Sequence, residues 1–291
     1  MKVHLVDGTY ELFRSHFGAP PRKSPSGQEV GATVGLLKSL FSLVASDGVT
    51  HVACAFDHVI ESFRNRLYDG YKTGEGVEQD LLAQFPLAEK AIAALGIVVW
   101  PMVEFEADDA IATAVLLYSG APGVQQVVVC SPDKDLAQMV SGSRVVCWDR
   151  RRDIVLDEEG VVAKFGVRPR SIPDWLALVG DAADGYPGIP HWGSKSAAAV
   201  LSKVGHLEDI PDDPRRLELP AGRASRLLES LRSQHKDALL FRVLATLRTD
   251  VPITESLGEL EWRGASPELR DVCRALGENE LVERIARWRE T

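Results

Sequence analysis

Acidic side chains stand at or just beyond the ends of four predicted strands in the first half of the chain. Ligands of a parallel sheet bind outside the carboxyl ends of its strands, so we expect these acids to share one edge. Carboxylates that converge repel one another and raise one another's pKa unless cations compensate. Their joint presence therefore predicts a bound cation rather than a set of separate helix caps. The acids at the strand ends are Asp7, Asp57, Glu106, Asp108, Asp109, Asp133 and Asp135.

A further acidic pair, Asp181 and Asp184, lies in a later turn that is flanked by glycines. Its i, i+3 spacing places both carboxylates on one side of a helical turn. No cysteine or histidine with ligand spacing accompanies the acids, so the preferred cation is hard and binds oxygen, as Mg²⁺ and Mn²⁺ do. The acids exceed the needs of one ion. Two ions about 3.5–4 Å apart are a recurring arrangement for phosphodiester hydrolysis, in which they activate water and stabilise charge on the phosphate.

Predicted strands and helices alternate over the first 148 residues of the chain. Continuous apolar strands separated by helices indicate a parallel sheet that is covered on both faces. The connection at 68–84 contains three glycines and alternating polar residues, which is typical of a lid or a binding loop. Strands are predicted at 4–6, 52–56, 97–100, 127–129 and 145–147, and helices at 32–45, 87–95, 107–118 and just after 134.

The pattern after Trp148 is helical, with turn residues between the segments. An α/β core is therefore followed by a helical part, without internal repeats. The helices of this second part are predicted at 158–165, 173–179, 194–204, 223–233, 236–247 and 279–288.

Composition and charge limit the function classes. The net charge of −9 argues at face value against a nucleic-acid partner, but acids that hold cations account for the excess. No apolar run approaches the roughly 18 residues of a membrane span, and the N-terminus lacks a secretory signal, so we expect a cytoplasmic protein without a membrane partner. The first strand is not followed by a glycine-rich phosphate loop or by Asp-x-Asp, which excludes a nucleotide cofactor and a haloacid-dehalogenase-type phosphatase.

Several motifs, in order along the chain, resemble those of the 5′ nuclease family. That family includes flap endonucleases, phage 5′ exonucleases and the N-terminal 5′ nuclease domain of bacterial DNA polymerase I. The likeness runs from residue 7 to about residue 200, and it is specific as a set. The motifs are Asp7-Gly8-Thr9, Phe63-Arg64 with Tyr71-Lys72, Glu106-Ala107-Asp108-Asp109, Asp133-Lys134-Asp135-Leu136-Ala137-Gln138, and Gly180-Asp181 through Gly193-Ser194-Lys195-Ser196-Ala197.

The resemblance implies an α/β fold with a PIN-like parallel-sheet core at 1–165 and a helical arch at about 64–86. A helical DNA-binding region at 166–291 would follow, with a helix-three-turn-helix at about 180–204. The resemblance also divides the nine acids between two ions. The first ion would be held by Asp7, Asp57, Glu106, Asp108 and Asp109, and the second by Asp133, Asp135, Asp181 and Asp184.

By the same likeness, Lys72 and Arg64 would contact the scissile phosphate, where fixed cations stabilise developing charge. The alternative for this pair is a solvated surface position. Tyr71 would stack on an unpaired base or, equally, take part in ordinary packing. A helix start after a tight turn would hold a DNA phosphate through its backbone N–H groups and a lysine, which positions DNA without reading sequence. These residues are Gly193, Ser194, Lys195 and Ser196.

Three departures from the family pattern are visible. Glu75 stands where the family usually has an arginine, so the arch is acidic where phosphate would be gathered. Where the family has Ser-Asp-Asn, this sequence has Ala-Asp-Gly, with Asp184 as the shared acid. The family's Gly-Ile-Gly turn is His191-Trp192-Gly193, which puts a residue other than glycine at a position that favours positive φ. Relatives often hold a monovalent cation, K⁺, in this turn, and its presence here is left open.

We therefore expect a stand-alone, metal-dependent 5′-3′ exonuclease or structure-specific 5′ flap endonuclease, without a polymerase, that acts in DNA replication or repair. Its substrates would be branched, nicked or 5′-ended duplex DNA, with RNA-primed ends left open. Two alternatives remain. One is a catalytically weakened, structure-specific DNA-binding protein of the same fold. The other is a PIN-type ribonuclease, which would not need the helical half.

Overall fold

A computed structural model describes residues 1–289 of the chain, which contain six strands and twelve α-helices. The strands are β1 (Lys2–Asp7), β2 (His51–Asp57), β3 (Val98–Met102), β4 (Gln126–Cys130), β5 (Val145–Asp149) and β6 (Ile154–Leu156). The helices are α1 (Gly8–Gly18), α2 (Gly31–Val44), α3 (Gln79–Leu82), α4 (Phe85–Ala94), α5 (Ala107–Ser119), α6 (Glu158–Phe165), α7 (Ile172–Val179), α8 (Ser194–Val204), α9 (Ala221–Ser233), α10 (His235–Ala245), α11 (Leu269–Leu276) and α12 (Asn279–Arg284).

The chain forms two compact units, and both are discontinuous in sequence. Unit 1 contains residues 1–60 and 74–131 and the described residues from 248 onwards. Unit 2 contains residues 61–73 and 132–247.

Unit 1 is built on four parallel strands in the order β3-β2-β1-β4. Leu5 in the middle of β1 lies beside Ala53 of β2 on one side and Val129 of β4 on the other. Strands β1, β2 and β4 are buried along almost their whole length, which explains their continuous apolar sequence, whereas Trp100 is the one buried residue of β3. The chain moves outward from β1 to β2 and β3 and then returns to β4. The strand order therefore reverses between β1 and β4, where α/β sheets bind ligands.

The C-terminal helices of unit 1 are attached to its N-terminal segment through a buried acid. Glu278, between α11 and α12, is 4% exposed and forms ion pairs with Arg22 and with Lys38, the latter at 3.0 Å. The carbonyl of Gly277 accepts a further hydrogen bond from Arg22. Together these contacts keep the pKa of Glu278 below its usual value, although burial alone would raise it.

Unit 2 consists of the antiparallel hairpin β5–β6 and the helices α6 to α10. Helix α6 begins at a side-chain cap, where Asp157 accepts a hydrogen bond from the N–H of Gly160 at 2.8 Å, and it ends at Gly166 with φ 75°. Helix α7 packs against α8 and α10. The side chain of Asp174 on α7 accepts hydrogen bonds from Arg242 on α10 and from the backbone N–H of Leu207.

Most of the predicted elements are present with boundaries within two residues of those predicted, and three elements were not predicted. Helix α11 was missed although Leu269, Val272, Cys273 and Leu276 have helical apolar spacing and are buried. Helix α1 and the short strand β6 were also missed. The helix predicted at 279–288 ends at Arg284.

The region predicted as a helical arch, 64–86, has less helix than expected. It contains most of a 3₁₀ helix, Phe63–Arg66, the four-residue α3 and the first residues of α4, with turns between them. Glycines at 70, 74 and 76 explain why no longer helix forms there, since glycine lowers helix stability.

The state of the cysteines and the apolarity of the helices complete the description of the fold. The four cysteines are buried thiols outside any disulfide within residues 1–289. Across the same residues, no helix has the length and apolarity that crossing a bilayer would require.

The glycine that follows Asp7 is required by packing. A Cβ atom on Gly8 would lie 2.6 Å from the ring of Phe56 and 2.7 Å from the Sγ of Cys54, both of which are side chains of β2. We expect Gly8→Ala to lower the free energy of unfolding by about 1–3 kcal/mol, as overpacking of a core does. Urea unfolding measures this. Gly18→Ala, in the same helix with no atom within 4 Å of the added Cβ, is the control and should cost nothing.

Candidate metal centre

Three carboxylates of unit 2 converge closely enough to bind one cation. Asp135, Asp181 and Asp184 each offer an oxygen that lies within 4.8 Å of the other two. All three side chains are buried. Asp135 begins the 3₁₀ helix Asp135–Met139, and its backbone N–H donates to the side chain of Asp133 at 2.9 Å. The sequence therefore brings Asp133 and Asp135 together locally, whereas the fold adds the later pair.

The turn that carries Asp181 and Asp184 is held by backbone geometry. The N–H of Asp181 donates to the carbonyl of Tyr186 at 2.8 Å, and the N–H of Tyr186 donates back at 3.1 Å. Gly180 before this turn has φ 84°, and a Cβ there would lie 2.4 Å from the backbone of Pro187. Gly185 has φ 88°, and a Cβ there would lie 2.1 Å from the carbonyl oxygen of Gly70. Glycine is therefore required at both positions, because φ is positive there and backbone atoms of other residues lie too close for a Cβ atom.

Two lysines compensate part of the negative charge. Lys134 Nζ lies 2.6 Å from Asp181 Oδ2, and Lys72 Nζ lies 3.0 Å from Asp184 Oδ1. Burial lowers the pKa of Lys134, but its hydrogen bond to Asp181 and the other nearby carboxylates outweigh burial, so the net shift is upward. Each of these two carboxylates therefore has a cationic partner.

Asp135 is the carboxylate with the least compensation. Burial, followed by the charges of Asp133, Asp184 and Asp181, raises its pKa well above the ordinary value, and Lys72 opposes this only in part. Its Oδ1 atom is buried without a hydrogen-bond partner among residues 1–289. A buried, unpaired carboxylate oxygen beside two further carboxylates is a donor set that fits a hard divalent cation.

The five acids predicted for the first ion all lie in unit 1, at the carboxyl ends of β1 and β2 and at the start of α5. Asp7 accepts hydrogen bonds from the N–H of Tyr10 at 2.8 Å and from the hydroxyl of Ser131, beyond β4, at 2.9 Å. This second bond spans the point where strand order reverses. Asp57 accepts from the N–H of Ala107 at 2.7 Å and thereby connects the end of β2 to the start of α5.

The three acids at the start of α5 differ in their surroundings. Glu106 and Asp109 form a reciprocal capping box at the N-terminus of the helix. Asp109 is fully buried, and its other oxygen accepts from the backbone N–H of Arg248 at 2.9 Å. Asp108 is half-buried. Carboxylate oxygens that accept one such bond still carry lone pairs for a cation.

The two predicted phosphate contacts, Arg64 and Lys72, have different surroundings. Arg64 is 1% exposed and donates to the backbone carbonyls of Leu244 at 2.8 Å and Thr246 at 3.3 Å. Its guanidinium thus binds the C-terminal end of α10. Lys72 is partly exposed and pairs with Asp184. The phosphate contacts assigned to both cations stay predictions.

Tyr71 is 3% exposed, and its ring lies 5.6 Å from the ammonium of Lys72. This position corresponds to the packing alternative considered above. The base-stacking alternative stays a prediction.

The predicted phosphate-binding turn lies at the N-terminus of α8. Gly193 is the N-terminal flanking residue, and it is exposed together with Ser194 and Lys195. Ser196 is buried, and its hydroxyl accepts from Arg223 at 2.7 Å. His191 adopts φ 73°, the left-handed conformation that glycine adopts more easily.

Sequence analysis missed several residues that shape the centre. Lys134 was visible as the residue between Asp133 and Asp135. Gln138 belongs to a family motif, but no role was predicted for it. Its amide nitrogen donates to the carbonyls of Asp135 and Ala245, and its amide oxygen accepts from the N–H of Leu247. Tyr186 carried no signal beyond its place in a turn.

Comparison with known proteins identifies the class of protein to which the chain belongs. The family model of the 5′-3′ exonuclease N-terminal, resolvase-like domain matches residues 2–166, and that of the C-terminal SAM fold matches residues 167–268. The chain belongs to the 5′-3′ exonuclease family and is a nuclease. The predicted family and the predicted α/β core with a helical C-terminal part are thereby confirmed.

Individual relatives agree with this assignment. A 5′-3′ exonuclease of Aquifex aeolicus is 33% identical over 280 residues, which are 96% of this chain and 92% of the relative. DNA polymerase I of Bacillus subtilis is 30% identical over 289 residues, which are 98% of this chain but 32% of the polymerase. The chain thus spans about a third of that polymerase's length.

Two solved structures share the fold at low sequence identity. T5 5′-exonuclease with bound divalent zinc ions has a TM-score of 0.68 and 17% identity, with 97% of this chain and 96% of that chain covered. The catalytic core of Rad2 in complex with a DNA substrate has a TM-score of 0.63 and 12% identity, with 97% and 90% covered.

The charge of Asp135 should destabilise the protein when no cation is bound. Because its folded-state pKa is raised, its contribution to stability is full below the pKa of an unfolded aspartate, about 3.9. That contribution is lost as pH rises through the folded-state pKa. We expect Asp135→Asn in EDTA at neutral pH to unfold at higher urea concentration than the parent, with a smaller loss of stability between pH 4 and 7. Asp47→Asn, at an exposed position, is the control. Identical pH profiles for Asp135→Asn and the parent would contradict this account.

Proposed function

We propose that the chain is a divalent-metal-dependent 5′ nuclease that hydrolyses DNA phosphodiesters as a 5′-3′ exonuclease and structure-specific flap endonuclease. The observation that carries the proposal is the buried set Asp135, Asp181 and Asp184 with the unpaired oxygen of Asp135. Buried charges in proteins are paired or coordinate metals, and Asp135 has the least compensation of the three carboxylates. Divalent ions in such sites lower the pKa of water and stabilise charge on phosphate.

Two ions, Mg²⁺ or Mn²⁺, are proposed, one for each set of carboxylates. The first would be held in unit 1 and the second in unit 2. Mg²⁺ keeps much of its hydration shell, so part of each set would act through water. The proposed ligands of the first ion are Asp7, Asp57, Glu106, Asp108 and Asp109, and those of the second are Asp133, Asp135, Asp181 and Asp184.

The chain's own cations complete the proposed mechanism. Lys134 and Lys72 orient the carboxylates of Asp181 and Asp184. Lys72 is partly exposed, so its ammonium can turn to a phosphate oxygen and stabilise the charge that develops on the phosphate. Arg64 holds the 3₁₀ helix Phe63–Arg66 on α10 and so fixes the segment that leads to Lys72.

The proposed substrate is DNA with a 5′ end, flap or nick. The Rad2 core was solved with a DNA substrate, which supports DNA as the partner. The start of α8 provides exposed backbone N–H groups and Lys195 for a phosphate, with no means of reading bases. A K⁺ ion at this turn and RNA-primed ends as substrates remain open parts of the proposal.

The biological setting is also part of the proposal. Relatives named DNA polymerase I support a role in replication or repair, although the chain matches only about a third of their length. Catalysis is assigned to residues 1–165, with an arch at about 64–86, and DNA binding to 166–291, with the helix-three-turn-helix at about 180–204. The cytoplasm is the proposed location.

Removing one carboxylate of the cluster should abolish cleavage. We expect Asp181→Ala to reduce cleavage of a labelled 5′ flap in Mn²⁺ by more than about 100-fold, because even outer-shell metal partners contribute 10- to 100-fold. Duplex binding, measured by anisotropy in Ca²⁺, should be retained.

The parent in EDTA and the exposed-site variant Asp47→Asn serve as controls for this experiment. Full cleavage by Asp181→Ala would refute the metal assignment. A parent that binds the flap but does not cut it in Mn²⁺ would instead support the weakened DNA-binding alternative. A parent that cuts only the matched RNA would support the ribonuclease alternative.

Lys195 should contribute one phosphate contact. We expect Lys195→Ala to reduce the slope of log affinity against log salt for duplex DNA by about 1, with equal loss for unrelated sequences. Lys203→Ala is the matched control, because Lys203 lies in the last turn of the same helix and is ion-paired with Glu218. An unchanged slope for Lys195→Ala would remove this residue from the DNA-binding surface.

A further inference from the structure

Tyr186 is a buried polar residue that the proposed mechanism does not use. Its side chain is 1% exposed, and its hydroxyl has no hydrogen-bond partner within residues 1–289. Buried hydroxyls almost always have a partner, because an unpaired one loses its bonds to water and gains nothing in return. The hydroxyl therefore requires a partner that residues 1–289 do not supply.

The surroundings of this hydroxyl are the acids of the metal centre. Tyr186 closes the turn that carries Asp181 and Asp184, through the paired backbone hydrogen bonds with Asp181. Oxygens of these two acids lie within 4.8 Å of an oxygen of Asp135. The phenol thus belongs to the same turn as two of the carboxylates, and the third, Asp135, also has a buried oxygen without a partner among residues 1–289.

The ring of Tyr186 is held in place on several sides. Its backbone forms the two hydrogen bonds with Asp181 described above. Its ring stacks on Phe241 of α10, with centroids 5.5 Å apart and planes 24° apart. Tyr68 packs edge-on against the same Phe241 at 5.7 Å. The stacked ring and the paired backbone restrict the positions that the hydroxyl can reach.

We propose that the Tyr186 hydroxyl donates a hydrogen bond to a water molecule in the hydration shell of the divalent ion at Asp135, Asp181 and Asp184. Tyr186 is then a positioning residue, since it acts on the ion through water. This inference rests on the proposed metal site. Hydrated Mg²⁺ and Mn²⁺ offer such waters, and groups that bond to a metal's outer shell tune its affinity.

The test is the isosteric variant Tyr186→Phe, studied without DNA so that catalysis plays no part. Mn²⁺ binding is measured by calorimetry on the parent, on Asp181→Ala and on Tyr186→Phe. The component of the isotherm that Asp181→Ala removes belongs to this cluster. We expect Tyr186→Phe to weaken that component roughly 3- to 10-fold, the equivalent of one hydrogen bond.

Unfolding in EDTA provides the second readout. Because the hydroxyl has no partner in the described part of the chain, Tyr186→Phe should unfold at the same urea concentration as the parent or at a higher one. Tyr68→Phe, which removes a hydroxyl from the same aromatic group, is the matched control and should leave Mn²⁺ affinity unchanged.

The outcomes distinguish the role proposed for Tyr186 from the proposed metal site itself. Unchanged Mn²⁺ affinity in Tyr186→Phe, with binding lost in Asp181→Ala, would overturn this inference and leave the metal site standing. Retained binding in Asp181→Ala would overturn the site itself. A marked loss of stability of Tyr186→Phe in EDTA would also overturn the inference, since it would show that the hydroxyl bonds to the protein.

Discussion

Repulsion among buried carboxylates is the constraint on which the centre in unit 2 depends. Asp135, Asp181 and Asp184 share a small volume from which water is largely excluded, so each raises the cost of ionising its neighbours. Lys134 and Lys72 offset two of the three charges. The charge of Asp135 has the least compensation, so the packing of this region favours a cation beside that carboxylate.

Backbone conformation and backbone hydrogen bonds hold the acids together against this repulsion. The turn after α7 depends on glycines at 180 and 185, where φ is positive and a Cβ would collide with backbone atoms. The paired hydrogen bonds between Asp181 and Tyr186 close this turn. At the other loop, Asp135 begins a 3₁₀ helix whose backbone bonds to Asp133. Repelling side chains are thus carried by backbone that has little freedom to separate them.

The C-terminal end of α10 bonds both to the segment that leads to Lys72 and to the loop that carries Asp135. Arg64 donates to the carbonyls of Leu244 and Thr246, and Gln138 bonds to Ala245 and Leu247. These last carbonyls of a helix lack partners within the helix and carry partial negative charge, which suits a buried guanidinium. The segment leading to Lys72 and the loop carrying Asp135 are therefore held by alternate residues of the same short segment, 244–247. This explains why an arginine in a functional motif is buried.

The sequence by itself determined the element types, the acids at the strand ends and the family, because strand and helix periodicities and short motifs are local properties. It also indicated that Asp133 and Asp135 lie together, since only Lys134 separates them. The family resemblance grouped Asp181 and Asp184 with Asp135, but spacing along the chain did not, and their close approach is a result of the tertiary structure. Only the tertiary structure decided that Arg64 binds a carbonyl 180 residues away and that the Tyr186 hydroxyl is buried without a partner among residues 1–289. Burial and contacts between distant residues depend on how elements pack, and a local pattern does not contain that information.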